Sequence, residues 1–266
     1  AARALARYVG KQLGGDDPIA AFVGDMNNLV TTLGLKNTHF TNPVGLEDDA
    51  DHYSSARDLA ALANEAMKNK FIATVVRTKE ITVTSVGPEH RDFDLINVNQ
   101  LLGQNGVHGV KTGSTDAAGG CLVVASWAHG RNRVITVILG SKIHYNEETQ
   151  APDIDLRYEE MTELLQTMDR DYRWIAPGET DEVPGLQEEM AAWQVELEKP
   201  PSIVVPRQQM DQFHYRLQLG PPGKPKSQVG QVLFFVGTDQ IAARPVYQTA
   251  APEAASTPAP QSSASA

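Results

Sequence analysis

The most restrictive feature of the sequence is a series of short apolar segments between residues 107 and 140. Gly120 to Ala128 (GCLVVASWA) and Arg133 to Gly140 (RVITVILG) are rich in β-branched residues, and the polar stretch HGRN separates them. Apolar runs of this length joined by a short turn are typical of a β-hairpin. A third short strand, Val107 to Lys111, precedes them, so we predict three sequential strands in one antiparallel sheet.

Helical patterns flank this predicted sheet. Residues 1–13 (AARALARYVGKQL) predict a helix that stops at a Gly-Gly pair, and Asp17 with Pro18 is a strong start for a second helix. Ser55 can cap a third helix, with Asp58 three residues later in an arrangement close to a capping box. The second helix, expected to be amphipathic and buried, has apolar residues at 3- and 4-residue spacing: Ile19, Phe22, Val23, Met26, Leu29, Val30 and Leu33.

Two further elements complete the first part of the chain. Lys79 to Val86 alternates polar and apolar residues as a strand does. A helix near residues 161–168 has its apolar residues on one face, from which we expect it to pack on the sheet: Met161, Leu164, Leu165 and Met168.

The composition and the hydrophobic pattern of the sequence change near residue 172. Prolines and short β-like runs replace the helices, which predicts a small all-β domain over residues 172–248. Residues 249–266 (TAAPEAASTPAPQSSASA) are of low complexity and predict a disordered tail. The expected fold class is therefore α+β, with an antiparallel sheet and helices in residues 1–171.

Composition excludes several classes of function. A net charge of −10 without a basic run opposes binding to nucleic acid. The single cysteine, Cys121, excludes an intrachain disulfide, and we expect a buried, inert thiol. His39, Asp51 and His52 match no tight ligand spacing, so we expect neither a metal site nor another cofactor. No stretch is long and apolar enough for a membrane helix.

The strongest candidate for chemistry is the tripeptide Lys111-Thr112-Gly113, followed by Ser114. A lysine on a strand places a positive charge beside a cleft, the threonine hydroxyl offers a hydrogen bond, and glycine lets a substrate lie close to the strand. The N–H of Ser114 can stabilise an oxyanion. The alternative is a chance tripeptide, because K-T-G is short.

The usual partners of K-T-G in serine acyl-transfer enzymes are S-x-x-K and S-D-N. No serine of the chain is followed by lysine three residues later, and no S-x-N occurs. The serines that we tested as possible nucleophiles and that fail are Ser55, Ser85, Ser114, Ser126 and Ser141. Ser54 and Ser55 lie just before a predicted helix, where a capping role is more typical.

Several longer motifs resemble one family in order and spacing. They are FVGDMN (22–27), LGLKNTHFTNPVGL (33–46), HYSSARDLAALANEAM (52–67), NQLL (99–102), GVHGVKTGSTDAAGGCLVVAS (106–126) and RNRVITVILG (131–140). Together they resemble the serine-type D-Ala-D-Ala carboxypeptidases, which are low-molecular-mass penicillin-binding proteins of peptidase family S11. The resemblance implies a β-lactamase/transpeptidase-like domain and, for residues 172–248, the family's second domain. It also leads us to expect that the segment with S-x-x-K and S-x-N precedes residue 1, so that the domain is N-terminally incomplete.

The resemblance implies roles for individual residues. Lys111, Thr112 and Gly113 would line the substrate strand, and Ser114 would supply one oxyanion N–H. Arg157 matches best the family's arginine for the terminal carboxylate of the substrate, although an insertion at 143–155 is expected to separate it from the sheet. The alternative for Arg157 is a solvated arginine at a helix start. His108 lies near the expected cleft, where we expect only a polar residue at the start of a strand.

Two functions remain open on this basis. The first is removal of the terminal D-alanine from peptidoglycan pentapeptide by a serine acyl-enzyme, carried out by the complete protein, which β-lactams would also acylate. The second is a non-catalytic homologue that binds cell-wall peptides or is inactive. Because peptidoglycan lies outside the cytoplasmic membrane, either one would be extracytoplasmic, with its signal peptide outside this chain.

Overall fold

The computed structural model describes residues 1–46, 51–128, 132–149, 151–177, 182–197 and 202–249. The chain divides into two compact units, Ala1–Thr167 and Met168–Ala266. Apart from Thr249, the predicted tail lies outside the described residues, as does most of the predicted HGRN turn. None of the helices in the described ranges is long and apolar enough to cross a membrane.

The first unit contains helices and antiparallel strands. In chain order its elements are α1 (Ala2–Leu13), α2 (Pro18–Thr32), α3 (Ala56–Ala66), α4 (Lys70–Arg77), β1 (Glu80–Thr84), β2 (Asp92–Ile96), β3 (Val107–Thr115), β4 (Gly119–Ala128), β5 (Asn132–Ser141), β6 (Ile143–Tyr145), β7 (Pro152–Asp155) and α5 (Arg157–Asp171), the last of which extends beyond Thr167.

The predicted three-stranded sheet is confirmed. Strands β3, β4 and β5 pair in that order, and both pairings are antiparallel. Strand β3 is longer than predicted, because it continues past Lys111 through the whole K-T-G tripeptide to Thr115. Helix α5 covers one face of the sheet, and a core of six buried residues forms there: Leu101, Val107, Leu122, Val124, Met161 and Leu165.

The predicted helix starts are observed with their caps. Asp17 accepts hydrogen bonds from the backbone N–H groups of Ile19 and Ala20, and Ser55 Oγ accepts one from Asp58 N at 3.2 Å. The expectation that α2 is a buried helix was wrong. Within α2 only Val30 is buried, and Leu29, which borders an open groove, is 46% exposed.

The Asp58 carboxylate does not close a capping box. Its Oδ2 instead accepts from Asn37 N at 2.8 Å and from Thr38 Oγ1 at 2.9 Å. This side chain is buried and anchors the loop before α3, so the start of α3 and the preceding loop are held by one carboxylate.

Two elements after α3 were not predicted. Helix α4 follows Asn69, whose side chain accepts from Phe71 N and Ile72 N. Strand β2 pairs with β1 as a hairpin, and its polar face carries hydrogen bonds between Thr82 and Asp94 and between Thr84 and Asp92, both 2.6 Å long. The opposite face of this hairpin is apolar and about half exposed; we call it the hairpin face, and it consists of Ile81, Val83, Phe93 and Leu95.

The second unit is rich in β-structure. One sheet has the strand order Phe213–Leu219, Gln228–Val236, Asp239–Gln248, Val195–Leu197, and a second pairs Ile203–Pro206 with Tyr172–Ile175. A core around the fully buried Phe234 holds the unit together. The unit also contains a short helix and a 3₁₀ turn that sequence analysis did not predict. Its elements are β8 (Tyr172–Ile175), α6 (Leu186–Ala192), β9 (Val195–Leu197), β10 (Ile203–Pro206), a 3₁₀ turn (Arg207–Gln212), β11 (Phe213–Leu219), β12 (Gln228–Val236) and β13 (Asp239–Gln248).

Candidate active site

A groove of about 810 Å³ runs along the K-T-G strand in the first unit. The K-T-G strand β3 and its neighbour β4 form one side, and helices α2, α3 and α4 form the other. Its lining is largely apolar, including Leu29, Leu59, Leu62, Ile72, Val123 and Leu139. Such a concave apolar site with a few polar groups is the usual form of a ligand pocket.

Lys111, Thr112, Gly113 and Ser114 all border this groove. Lys111 is exposed, and its Nζ donates to the carbonyl oxygen of Thr112. A Cβ built on Gly113 would meet no atom within 4 Å, so the strand is open at this point. Among the described strands, β3 pairs only with β4, so its other edge can accept an extended peptide.

Arg157 lies beneath the K-T-G strand. Its Nη1 donates to the carbonyl oxygen of Gly113 at 2.9 Å, and its Nε and Nη2 donate to the two carboxylate oxygens of Asp155 at 2.8 and 2.6 Å. Arg157 is 6% exposed. The interpretation of Arg157 as a solvated arginine at a helix start was therefore wrong, because the side chain is buried in an ion pair.

The hydrogen bonds to Asp155, followed by the charge of that carboxylate, raise the pKa of Arg157 above its ordinary value. The same ion pair leaves the guanidinium charge locally compensated. Burial raises the pKa of the neighbouring Tyr158, whose hydroxyl donates to the carbonyl oxygen of Val98 at 2.9 Å. Arg157 therefore keeps its proton at any physiological pH and is held in one orientation.

We expected the insertion at 143–155 to separate Arg157 from the sheet, and this expectation was wrong. Strands β6 and β7 pair as an antiparallel hairpin, so the chain leaves the end of β5 and returns beside it. The returning strand ends at Asp155, two residues before Arg157. The polar composition of the insertion concealed the pairing, because a hydrogen bond of 2.7 Å between His144 Nδ1 and Asp153 Oδ1 joins the two strands.

Glycine at position 120 makes this arrangement possible, and sequence reasoning missed it. Gly120 pairs with Ser114 across the sheet. A Cβ built on Gly120 would lie 2.7 Å from both Cγ and Cδ of Arg157, closer than side chains tolerate. The Gly119-Gly120 pair after the turn is the signal in the sequence that could have indicated a close approach to the strand.

The other candidate residues do not join the site. Ser54 Oγ shares a hydrogen bond with Thr38 Oγ1 at 2.8 Å. His39 Nδ1 lies 2.8 Å from the carbonyl oxygen of Asp51, and His52 Nδ1 accepts from Thr41 N at 3.0 Å. Within the described ranges, no group of three or more histidine, cysteine or acidic side chains is arranged to hold a metal ion.

Two further expectations concern the neighbouring strands. Cys121 is half-buried and borders the groove, so the expectation of a buried thiol was wrong; β4 turns this side chain toward the open groove rather than toward the core. His108 stacks on Trp127 with ring centroids 4.8 Å apart, and Trp127 is 47% exposed. His108 therefore packs at the far end of β3 from Ser114.

Comparison with known proteins gives consistent matches. The profile of the peptidase S11 family, D-alanyl-D-alanine carboxypeptidase, matches residues 1–143. A D-alanyl-D-alanine carboxypeptidase of Streptomyces sp. strain K15 is 39% identical over 151 residues, covering 55% of this chain and 52% of that protein. The carboxypeptidase DacF of Bacillus subtilis strain 168 is 42% identical over 121 residues, covering 45% and 30%. The crystal structure of the carboxypeptidase DacD from Francisella tularensis has a TM-score of 0.58 at 22% identity, covering 93% of this chain and 70% of that chain.

These matches confirm the α+β fold of the D-Ala-D-Ala peptidases that was predicted from the motifs. The chain belongs to the D-alanyl-D-alanine carboxypeptidase family, peptidase S11. It spans 52% of the length of the Streptomyces relative and 30% of that of the Bacillus relative.

Proposed function

We propose that this chain provides the K-T-G wall of a D-alanyl-D-alanine carboxypeptidase site, in which the terminal D-alanine of a peptidoglycan stem peptide is removed through a serine acyl-enzyme. The observation that carries the proposal is the contact of Arg157 with the carbonyl oxygen of Gly113. It puts a fixed cation directly beneath an edge strand that borders a groove, which suits an extended peptide with a free carboxylate.

In this proposal each residue of the wall acts on the bound peptide. The peptide backbone lies along the open edge of β3, and Lys111 and Thr112 orient it. The N–H groups of Arg157 that Asp155 and Gly113 leave unused donate to the terminal carboxylate of the peptide. The N–H of Ser114 donates to the oxyanion that forms when a serine attacks the scissile carbonyl. One such donor typically contributes about 3–4 kcal/mol of transition-state stabilisation. The acyl-enzyme forms as D-alanine leaves, and water then releases the shortened peptide.

The nucleophile does not come from an S-x-x-K motif within these 266 residues. A second candidate function is a non-catalytic module that binds cell-wall peptides along the same strand, whose outer edge pairs with no described strand. The two candidates share the peptide ligand and differ in covalent chemistry. Either one acts outside the cytoplasmic membrane, where peptidoglycan lies, and acylation by β-lactams belongs only to the first.

A ligand-observed NMR experiment tests the shared part of the proposal. We expect saturation-transfer signals from an acetylated tripeptide ending in D-Ala-D-Ala and weaker signals from its L-Ala-L-Ala counterpart. Lys111→Ala should reduce the signals strongly, whereas Lys224→Ala, an exposed lysine of the second unit, should leave them unchanged. Equal signals for the two stereoisomers, or no effect of Lys111→Ala, would refute the proposal.

Incubation with a fluorescent penicillin separates the two candidates. Covalent labelling of the chain on a denaturing gel would establish an attacking side chain within these residues and favour the enzyme. Binding of the D-Ala-D-Ala peptide without labelling would favour the binding module. Low protein concentration suffices for both assays, which keeps association through exposed apolar surfaces small.

A further inference from the structure

The β6–β7 hairpin brings a phenol to the end of the K-T-G strand. The hydroxyl oxygens of Tyr145 and Ser114 lie 2.6 Å apart, which is a short O–H···O hydrogen bond. Tyr145 is 39% exposed, so its ring is partly packed while solvent and ligands can still reach the residue. These two residues are 31 positions apart in the sequence, and the contact exists only because the hairpin returns to the sheet.

The hydroxyl pair lies beside the guanidinium that the proposed function uses. Ser114 is paired with Gly120, and Gly120 is the residue over which the Arg157 side chain passes. The hydrogen-bonded pair of Ser114 and Tyr145 thus lies at the part of the β3–β4 sheet over which the Arg157 guanidinium passes.

Arg157, Ser114 and Tyr145 have more hydrogen-bond donors than their contacts within the protein use. A guanidinium has five N–H groups. Three hydrogen bonds join the Arg157 guanidinium to described residues, two to Asp155 and one to Gly113. In a hydrogen-bonded pair of hydroxyls, one proton lies between the oxygens and the other is available to a third group. An anion at this position would therefore meet a neutral donor as well as a cation.

We infer that Tyr145 is a specificity-determining residue that donates a hydrogen bond from its phenol to the terminal carboxylate of the bound peptide. The Ser114 hydroxyl donates to the phenolic oxygen, which leaves the more acidic phenolic proton for the anion. Arg157 provides the positive charge. The hydrogen bond from Tyr145 orients the carboxylate at the end of strand β3. The inference rests on the proposed function, because it assumes that the carboxylate of a peptide binds at this wall.

The test compares two ligands and two variants of the full 266-residue chain. The ligands are the acetylated D-Ala-D-Ala tripeptide with a free carboxylate and the same tripeptide as a C-terminal amide. For Tyr145→Phe we expect the affinity for the carboxylate to fall roughly tenfold, as for loss of one hydrogen bond to a charged group. Affinity for the amide should stay the same. Tyr172→Phe, a partly exposed tyrosine of the second unit, is the matched control.

The outcomes separate this inference from the proposed function. If Tyr145→Phe binds both ligands as the unmodified chain does, or loses both equally, Tyr145 has at most a structural role and the inference is wrong while the proposed function stands. If the unmodified chain binds neither peptide at millimolar concentration, the proposed function fails and the inference fails with it. Near-ultraviolet circular dichroism of Tyr145→Phe checks that the fold is retained.

Discussion

Replacing Gly120 with alanine should force Arg157 away from the K-T-G strand. The added Cβ would lie 2.7 Å from Cγ and Cδ of Arg157, whose side chain is 8% exposed and held at its far end by Asp155. The buried arginine therefore has little room to yield. Overpacking of this kind costs about 1–3 kcal/mol, and loss of the bond from Nη1 to Gly113 adds about 1.5–3 kcal/mol. We expect a total loss of stability of about 2.5–6 kcal/mol.

A double-mutant cycle isolates the contact. In an Arg157→Ala background the Cγ and Cδ atoms are gone, so Gly120→Ala should be neutral or slightly stabilising, because alanine restricts the unfolded chain. Combining Arg157→Ala with Asp155→Asn in that background avoids leaving a buried carboxylate unpaired. Hydrogen exchange of amides in residues 107–126, followed by mass spectrometry, measures the opening free energy of β3 and β4 themselves. An equal cost of Gly120→Ala in both backgrounds would refute the argument.

Three further outcomes are expected. Asp58→Ala leaves Asn37 N–H and the Thr38 hydroxyl without their acceptor. The free energy of unfolding measured in urea should therefore fall by about 2–4 kcal/mol, and an unchanged unfolding midpoint would contradict this prediction. Burial, followed by a hydrogen bond with Glu189, raises the pKa of Tyr215 from its ordinary value of 10.0 to about 12. Since only the unfolded chain ionises this phenol between those values, Tyr215 should not affect stability below pH 10, and stability should fall as the pH rises to about 12. Tyr215→Phe should make this fall smaller in pH-dependent unfolding curves, while the part due to Tyr158, whose pKa is also raised, remains. Phe93 on the hairpin face is 51% exposed, so Phe93→Thr should lower concentration-dependent self-association in sedimentation velocity. Self-association of equal strength in the variant would show that the hairpin face is not the associating surface.

The parts of the fold that sequence analysis predicted are those governed by local rules. The three strands follow from apolar runs of strand length, and the starts of α2 and α3 follow from Asp17, Pro18 and Ser55. In each case neighbouring residues decide the conformation. The resemblance of the motifs in order and spacing indicated the family, and the peptidase S11 match confirms that family.

The parts that could not be predicted depend on residues far apart in the chain. The β6–β7 hairpin is polar, because the pair of His144 and Asp153 replaces apolar cross-strand contacts, so its sequence resembles a loop. The closeness of Arg157 to Gly113 across 44 positions follows from that hairpin. The exposure of Leu29 reflects an open groove, and periodicity alone cannot distinguish an apolar face that borders a groove from one that is packed.

One edge of β3 pairs with no described strand, and Lys111 on this strand affects association between molecules. An unpaired strand edge can recruit a strand from another molecule, and an exposed lysine on such an edge opposes that recruitment through repulsion and hydration. Neutral replacements at this position should therefore reduce colloidal stability, independently of the ligand contact proposed for Lys111. Measurements on such variants need the monomer fraction recorded alongside affinity, since a precipitating sample imitates a lost ligand contact.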